Sequence, residues 1–276
     1  MIISSFSNQK VKELVLLQKK SSIRKKQGVF VVEGIRLVSE IPPGCLLELY
    51  VSSHFVDKHP DLVRDFTKRF SVLPIQLSDP VFDKISDTVQ PQGILAIVKR
   101  SEHSMEKMIE KLNPFLIILD QIQDPGNLGT IFRTAEAAGV DGIVMSFDSV
   151  DIYNPKTIRS TMGAIFRLPF YVTRDMKATL SFMKSQNITI YAAHLDGAKD
   201  YVQENYQKGC GILIGNEGNG LREEIAAMAD AMIKIPMESQ AESLNAGVAA
   251  AILMYEANRQ RRNDCGATTA SDESNL

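Results

Sequence analysis

Three cysteines, Cys45, Cys210 and Cys265, are too few and too far apart for a disulfide framework, and no CxxC pair offers a metal site. They read as buried or idle thiols. The four histidines, His54, His59, His103 and His194, lack HxxxH or HExxH spacing, which removes the common zinc arrangements, and no metal is expected. No apolar run approaches the roughly 18 residues that a membrane span needs. The opening MIISSFSNQKVKEL has neither the cationic nor the apolar region of a secretory signal, so the expectation is a cytoplasmic chain with no membrane partner. Charge is also nearly balanced, at a formal net −2, but it is unevenly spread: residues 1–36 hold eight Lys or Arg against two Glu. There Lys19, Lys20, Arg24, Lys25 and Lys26 bracket SSIRKKQG, read as a polar loop that either meets phosphates or is a solvated face.

What is present is enough for a sizeable core. A chain of 276 residues with 44% hydrophobic content accommodates two domains of ordinary size. The runs VFVVEG, LLELYVSS, SVLPIQL and GILAIVKR alternate with helical patterns such as IRLVSEI and PDLVRDFTKRF, giving a small α/β domain over residues 1–100. A charged stretch from Ser101 to Pro114 breaks the pattern and ends in Asn-Pro, and residues 101–113 read as the linker. Beyond it FLIILDQI, GIVMSF, PFYVTR, ITIYAAHL, GILIGN and AMIKIPM are strand candidates with helices between them. They predict a second α/β domain over 114–262 with a mainly parallel sheet, and a disordered tail over 263–276.

Ligands in such sheets bind beyond the carboxyl ends of strands, and three strand ends here are unusual. The first is DPGNLGTIFRTAEAAG, Asp124 to Gly139, where Asn127 is a candidate helix cap and Arg133 points roughly 160° from the centre of the apolar face. Alone, Arg133 would be a surface arginine paired with Glu136. The second is GILIGNEGNGLREEI, glycine-rich but without GK[ST], whose Glu217 would repel a pyrophosphate. The third is IKIPMESQAESLNAGVAAAILMYEANRQRR: Ser243 is a plausible N-cap, and the helix from Ala246 to Met254 is apolar or small nearly all round, so a second subunit is expected to cover part of it.

Together and in this order these three stretches resemble the TrmH/SpoU branch of the SPOUT methyltransferases, over the span from Leu116 to roughly Arg262 and including YNPKTIRSTMGAIFRLPF. The N-terminal part, with VFVVEGIRLV, is similar to the L30e-like substrate-binding domain of that family. The resemblance implies an S-adenosylmethionine-dependent RNA ribose 2′-O-methyltransferase with an α/β knot, its C-terminal segment threaded into a trefoil, acting on rRNA as a homodimer joined through the last helix. It further implies catalytic roles for Asn127, Arg133, Glu217, Ser243 and Asn245, and backbone contacts to the methyl donor at Gly215, Ile235 and Leu244. Arg222 departs from the small residue expected after GNEGNGL.

The chemistry asks for positioning, because a ribose oxygen must be held near 3 to 3.5 Å from the methyl while its proton leaves. Arg133 can grip the RNA phosphate beside the target ribose or, as is often proposed for this family, take the proton; the second role sits badly with a guanidinium that stays protonated, and Arg133 is assigned to catalysis with the two roles left open. Competing readings are the same reaction on tRNA, an RNA-binding protein with an inactive methyltransferase domain, and a dinucleotide dehydrogenase, which lacks its GxGxxG fingerprint here.

Overall fold

The computed structural model describes residues 2–195, 197, 199–238 and 243–267, which divide into two units: Met1–Glu102 with Asp151–Phe166, and His103–Val150 with Arg167–Leu276. In the first, β1 (Ile2–Ile3), β2 (Val29–Glu33), β3 (Leu46–Ser52), β4 (Ile75–Leu77) and β5 (Ile94–Lys99) form one sheet in the order β1-β4-β3-β5-β2. The sheet is mixed: β4 runs parallel to β1 and β3, while β5 is antiparallel to β2 and β3. Every residue of β2 is buried, and so is all of β5 but Lys99, as their continuous apolar runs predict. β1 has two residues, too few for periodicity to reveal.

Two expectations change in this unit. Ser21–Gln27 is an α-helix closed by Gly28 at φ 67°, where a loop was expected. Its last turn holds Arg24, Lys25 and Lys26, the sign that suits the negative end of a helix dipole, so the basic run has a local structural cause. Arg24 is also withdrawn from any phosphate. It is 3% exposed, and its guanidinium donates to the carbonyls of Leu17 (2.7 Å) and Gln18 (2.9 Å) and to the Asp151 carboxylate (2.5 Å). That last bond belongs to the second change: Asp151–Phe166, expected within 114–262, counts with the first unit. Arg159 pairs with Asp87 at 2.8 Å, and the Tyr153 ring lies 4.7 Å from that of Phe30.

The second unit carries β6 (Phe115–Leu119), β7 (Gly142–Ser146), β8 (Phe170–Thr173), β9 (Thr189–Ala193), β10 (Lys199–Asp200), β11 (Cys210–Ile214) and β12 (Ala231–Lys234). Their order is β10-β12-β9-β11-β6-β7-β8, and every pairing is parallel. The central strands β6 and β11 are wholly buried. The chain steps outward from β6 through β7 to β8, then returns on the other side and lays β11 against β6. The carboxyl ends of these two strands are therefore a switch point, where the connections diverge and leave a crevice. Residues expected to be a linker contribute to this core: Met105 and Met108, on a short helix, are buried with Leu116 and Ile118.

The last helix, Ala246–Ala267, lies beside Pro125–Ala137 and points the same way, since Asn245 meets Asn127 and Asn258 meets the Ala138 carbonyl. It extends past Arg262, where a tail was expected to begin; residues 268–276 of that expected tail lie outside the described residues.

Arg24→Ala would strand the Asp151 carboxylate and two carbonyls in a largely buried place. The expected loss is about 3 to 5 kcal/mol, read as a lower urea midpoint for the full chain, and a midpoint unchanged from the parent would refute it.

Candidate active site

The loops that follow β6 and β11 leave the sheet side by side, because Ile214 pairs in register with Leu119 and its carbonyl accepts from the Asp120 N–H at 2.9 Å. After β11 the chain turns back on itself, with Asn216 and Gly220 bonded in both directions at 2.9 and 3.0 Å. Asn216 shapes this turn: its Oδ1 accepts from Gly218 and Asn219, while its Nδ2 donates to the Gln121 carbonyl across the crevice. Gly215 is required here, since a Cβ at that position would lie 2.3 Å from the Gly220 and Leu221 backbone.

The far end of the turn is fixed by Arg222. Its guanidinium holds both oxygens of Asp120, at 3.0 and 2.5 Å, and Asp120 is fully buried. The departure from a small residue is thus the partner of a buried charge, a pairing that a bidentate arginine makes tolerable.

At the crest of the turn Glu217 reaches the next loop. Its carboxylate accepts from the backbone N–H groups of Gln123 and Asp124, each at 3.1 Å, and from Nδ2 of Asn127 at 3.0 Å. Asn127 Oδ1 in turn accepts from Nδ2 of Asn245 at 2.8 Å, and Asn245 Oδ1 accepts from the N–H groups of Gly247 and Val248 at 2.9 and 3.2 Å. Asn245 is therefore the cap of the last helix, the role expected of Ser243, and the cap of Pro125–Ala137 is Asp124, whose Oδ1 accepts from the Asn127 N–H at 2.8 Å, the role expected of Asn127. A Cβ on Gly247 would come within 3.4 Å of Thr130, so the small residue brings the two helix starts together. Burial pushes the Glu217 carboxyl up, but the bonds from the Asn127 amide and from the backbone N–H groups of Gln123, Glu217 itself and Asp124 outweigh it and hold its pKa below the ordinary value.

Of the five catalytic candidates, the structure joins Asn127, Glu217 and Asn245 directly. Arg133 stands on the exposed side of the helix that Asn127 begins, and among the described residues it has no hydrogen-bond or ion-pair partner. The expected Glu136 alternative fails, because Arg167 takes the Glu136 carboxylate through two nitrogens. Ser243 is exposed just ahead of Asn245 and bonds to none of these residues.

Gly215, Ile235 and Leu244 are half-buried, and among the described residues no hydrogen bond engages their backbones. Three backbones with open donors and acceptors suit a ligand held by main-chain contacts, as an adenosyl group would be. Among the described residues no three of His, Cys, Asp and Glu are grouped to hold a metal ion. Sequence reasoning missed Gln123, Asp124 and the Asp120–Arg222 pair. The signal for Asp124 was there in Asp-Pro at a helix start, since proline suits the first helical position and aspartate the cap before it.

Residues 114–255 match the sequence model of the SpoU rRNA Methylase family, and residues 8–96 match that of an MRM3-like substrate binding domain. The chain is 35% identical over 260 residues to the 23S rRNA (guanosine(2553)-2'-O)-methyltransferase RlmP of Bacillus subtilis (strain 168), covering 92% of this chain and 97% of that one. It is 29% identical over 246 residues to the 23S rRNA (guanosine-2'-O-)-methyltransferase RlmB of Shewanella oneidensis, covering 87% and 100%. The crystal structure of an AdoMet bound rRNA methyltransferase from Sinorhizobium meliloti superposes with a TM-score of 0.83 at 29% identity, over 94% and 97% of the two chains.

A depressed carboxyl pKa adds stability that is present above the unfolded value and is lost as pH falls through the folded one, so the Glu217 contribution should fade below pH 4.5. Glu217→Gln should cost about 1 kcal/mol at pH 7, the site being open to solvent, and should flatten this acid-side loss. Thermal unfolding of both proteins at pH 7 and pH 4 checks it; parallel pH slopes would count against the relay.

Proposed function

The chain belongs to the SpoU rRNA Methylase family, and from that premise we propose that it methylates a ribose 2′-hydroxyl of rRNA, with guanosine as the target nucleoside. The observation that carries the reading is the Glu217–Asn127–Asn245 relay, which ties the three motif stretches together at the switch point of a parallel sheet. The two named relatives are guanosine 2′-O-methyltransferases, and both are matched over most of their length.

S-adenosylmethionine supplies the methyl group, already activated on a sulfonium. The backbones of Gly215, Ile235 and Leu244 would hold it, and in this reading the C-terminal segment is threaded into the trefoil knot that the family resemblance implies. The chain's own side chains then have to seat the ribose. Asn127 and Asn245 each spend one amide hydrogen in the relay and keep a second, which is a donor for a hydroxyl or phosphate oxygen. Ser243 adds a hydroxyl that can both give and accept. Arg133, with no internal partner among the described residues, grips the phosphate next to the reacting ribose, and its fork fixes angle as well as distance. The first unit, with Lys19, Lys20, Lys25 and Lys26 exposed, binds the surrounding RNA by sequence-independent charge. A cytoplasmic location goes with this reading, since the rRNA-modifying relatives named above are bacterial.

A second copy of the chain completes the reading. Val248 and Tyr255 on the last helix are 48% and 52% exposed, with Ala251 and Ile252 half-buried between them. This is an apolar stripe at helical spacing, and a homodimer through it would leave no such stripe in water. Sedimentation should give a dimer at micromolar concentration and a monomer for Ile252→Glu; a monomeric parent protein would remove the dimer from the reading.

Mass spectrometry of rRNA from cells with and without the protein should locate one nucleotide that loses its 2′-O-methyl group. Arg133→Lys keeps the charge but not the fork, so titration with S-adenosylmethionine should be unchanged while single-turnover methylation falls roughly a hundredfold or more. Turnover near the parent's would return Arg133 to the solvated surface.

A further inference from the structure

Beside the relay, on the β7 and β8 side of the crevice, lies a cleft of about 380 Å³ that the reading above leaves unused. It is lined by the chain just after β7 (Phe147, Asp148), the chain just after β8 (Arg174, Asp175), and Arg222 and Lys177. Gln123 connects it to the candidate active site: its backbone N–H donates to Glu217 at 3.1 Å and its side-chain Nε2 donates to the Asp148 carbonyl at 2.7 Å. Whatever occupies the cleft is therefore held in fixed relation to the relay.

The cleft's chemistry narrows its occupant. Its cations are mostly spent, because Lys177 is paired with Glu224 at 2.6 Å and Arg222 with Asp120 at 2.5 Å, and Asp148 and Asp175 add negative charge. Such a balance does not draw in a phosphate. It does carry a flat surface: the Arg174 guanidinium lies over the Phe147 ring at 3.8 Å from its centre, and Phe147 is 38% exposed, an uncommon place for a large aromatic side chain. Guanidinium planes and aromatic rings are what unstacked RNA bases stack on. The Asp148 carboxylate is exposed and, among the described residues, accepts no hydrogen bond and forms no ion pair, whereas Asp175 already caps the following helix through Ala178 at 2.9 Å. An ionised carboxylate only accepts, and with two oxygens it matches two adjacent N–H donors. Among the four RNA bases, guanine alone presents such a pair on one edge, at N1 and N2.

We propose that this cleft is a nucleobase subsite that receives the target guanine, with the Phe147–Arg174 pair stacking on the base and the Asp148 carboxylate accepting from its N1–H and N2–H. The assignment rests on the guanosine 2′-O-methylation reading and adds to it the side chains that choose the base.

The test uses the full chain, S-adenosylmethionine, and unmethylated rRNA fragments carrying either guanosine or inosine at the nucleotide located by mass spectrometry. Inosine lacks only the N2 amino group. The parent should lose about 10- to 100-fold in kcat/KM on inosine, the scale of one hydrogen bond to a charged group. Asp148→Asn should lose a similar factor on guanosine and little more on inosine, while Phe147→Leu should raise KM with guanosine and inosine alike. Titration with S-adenosylmethionine should be the same for all three proteins, which separates a lost base contact from a damaged fold. Equal kcat/KM for the parent and Asp148→Asn on guanosine, an inosine penalty undiminished in Asp148→Asn, or a target that is not guanosine would overturn the proposal. A parent that methylates no ribose at all would instead overturn the reading on which it rests.

Discussion

The site depends on one chain of hydrogen bonds whose direction is fixed at both ends. Glu217, when ionised, can only accept, and the N–H groups of Gly247 and Val248 can only donate. Between them Asn127 and Asn245 have a single consistent orientation: each turns its NH2 toward Glu217 and its oxygen toward the last helix. An amide pair between two like ends could flip and leave two equivalent states. Here a flip of either residue would set donor against donor or oxygen against oxygen, so the geometry is held by chemistry as well as by packing. The relay also joins residues 90 and 118 positions apart, and three loops that would otherwise move separately become one object.

The fold makes that relay reachable. Because β11 is laid beside β6 and not at the edge, the turn after β11 and the helix after β6 start at the same level, and Ile214 opposite Leu119 sets the register. Asp120 and Arg222 then close the base of the crevice. A fully buried carboxylate is unfavourable by several kcal/mol unless it is paired, so this pair ties the exit of β6 to the end of the glycine turn. Gly215 and Gly247 do the complementary work by absence: one lets the turn fold onto its own backbone, the other lets the last helix approach Thr130.

The strands of the second unit were legible because buried parallel strands are continuous apolar runs, and six of its seven appear in the sequence as such. β10 was not, being a two-residue strand at the edge of the sheet. Asn127, Glu217 and Asn245 were legible as a group only through family resemblance, since no local pattern tells that residues so far apart will meet. Their roles at the helix starts were misjudged for a local reason. Asn127 and Ser243 are reasonable caps by residue type, but Asp124 and Asn245 are the residues immediately before the first helical positions, Pro125 and Ala246, and the cap is decided by position. The basic run at Arg24 misled because charge in a sequence does not disclose burial: an arginine that bonds two carbonyls and an aspartate is a strut. Asp151–Phe166 lies between two strands of the second unit and belongs to the first, which no composition shift announces.

Locking Glu217 into the relay has a chemical consequence as well as a structural one. Under the proposed function, a carboxylate with idle lone pairs beside a sulfonium methyl would itself be a nucleophile and compete with the ribose oxygen. In Glu217 the oxygens accept from the N–H groups of Gln123 and Asp124 and from the Asn127 amide, and these bonds hold its pKa below the ordinary value by stabilising the charge where it stands. The same bonds hold this negative charge at the start of the helix Pro125–Ala137, where the positive end of the helix dipole favours it. Arg133 is the counterpart. With Glu136 given over to Arg167, its guanidinium has no hydrogen-bond or ion-pair partner among the described residues, which leaves its fork open to the RNA phosphate that the proposed function assigns to it.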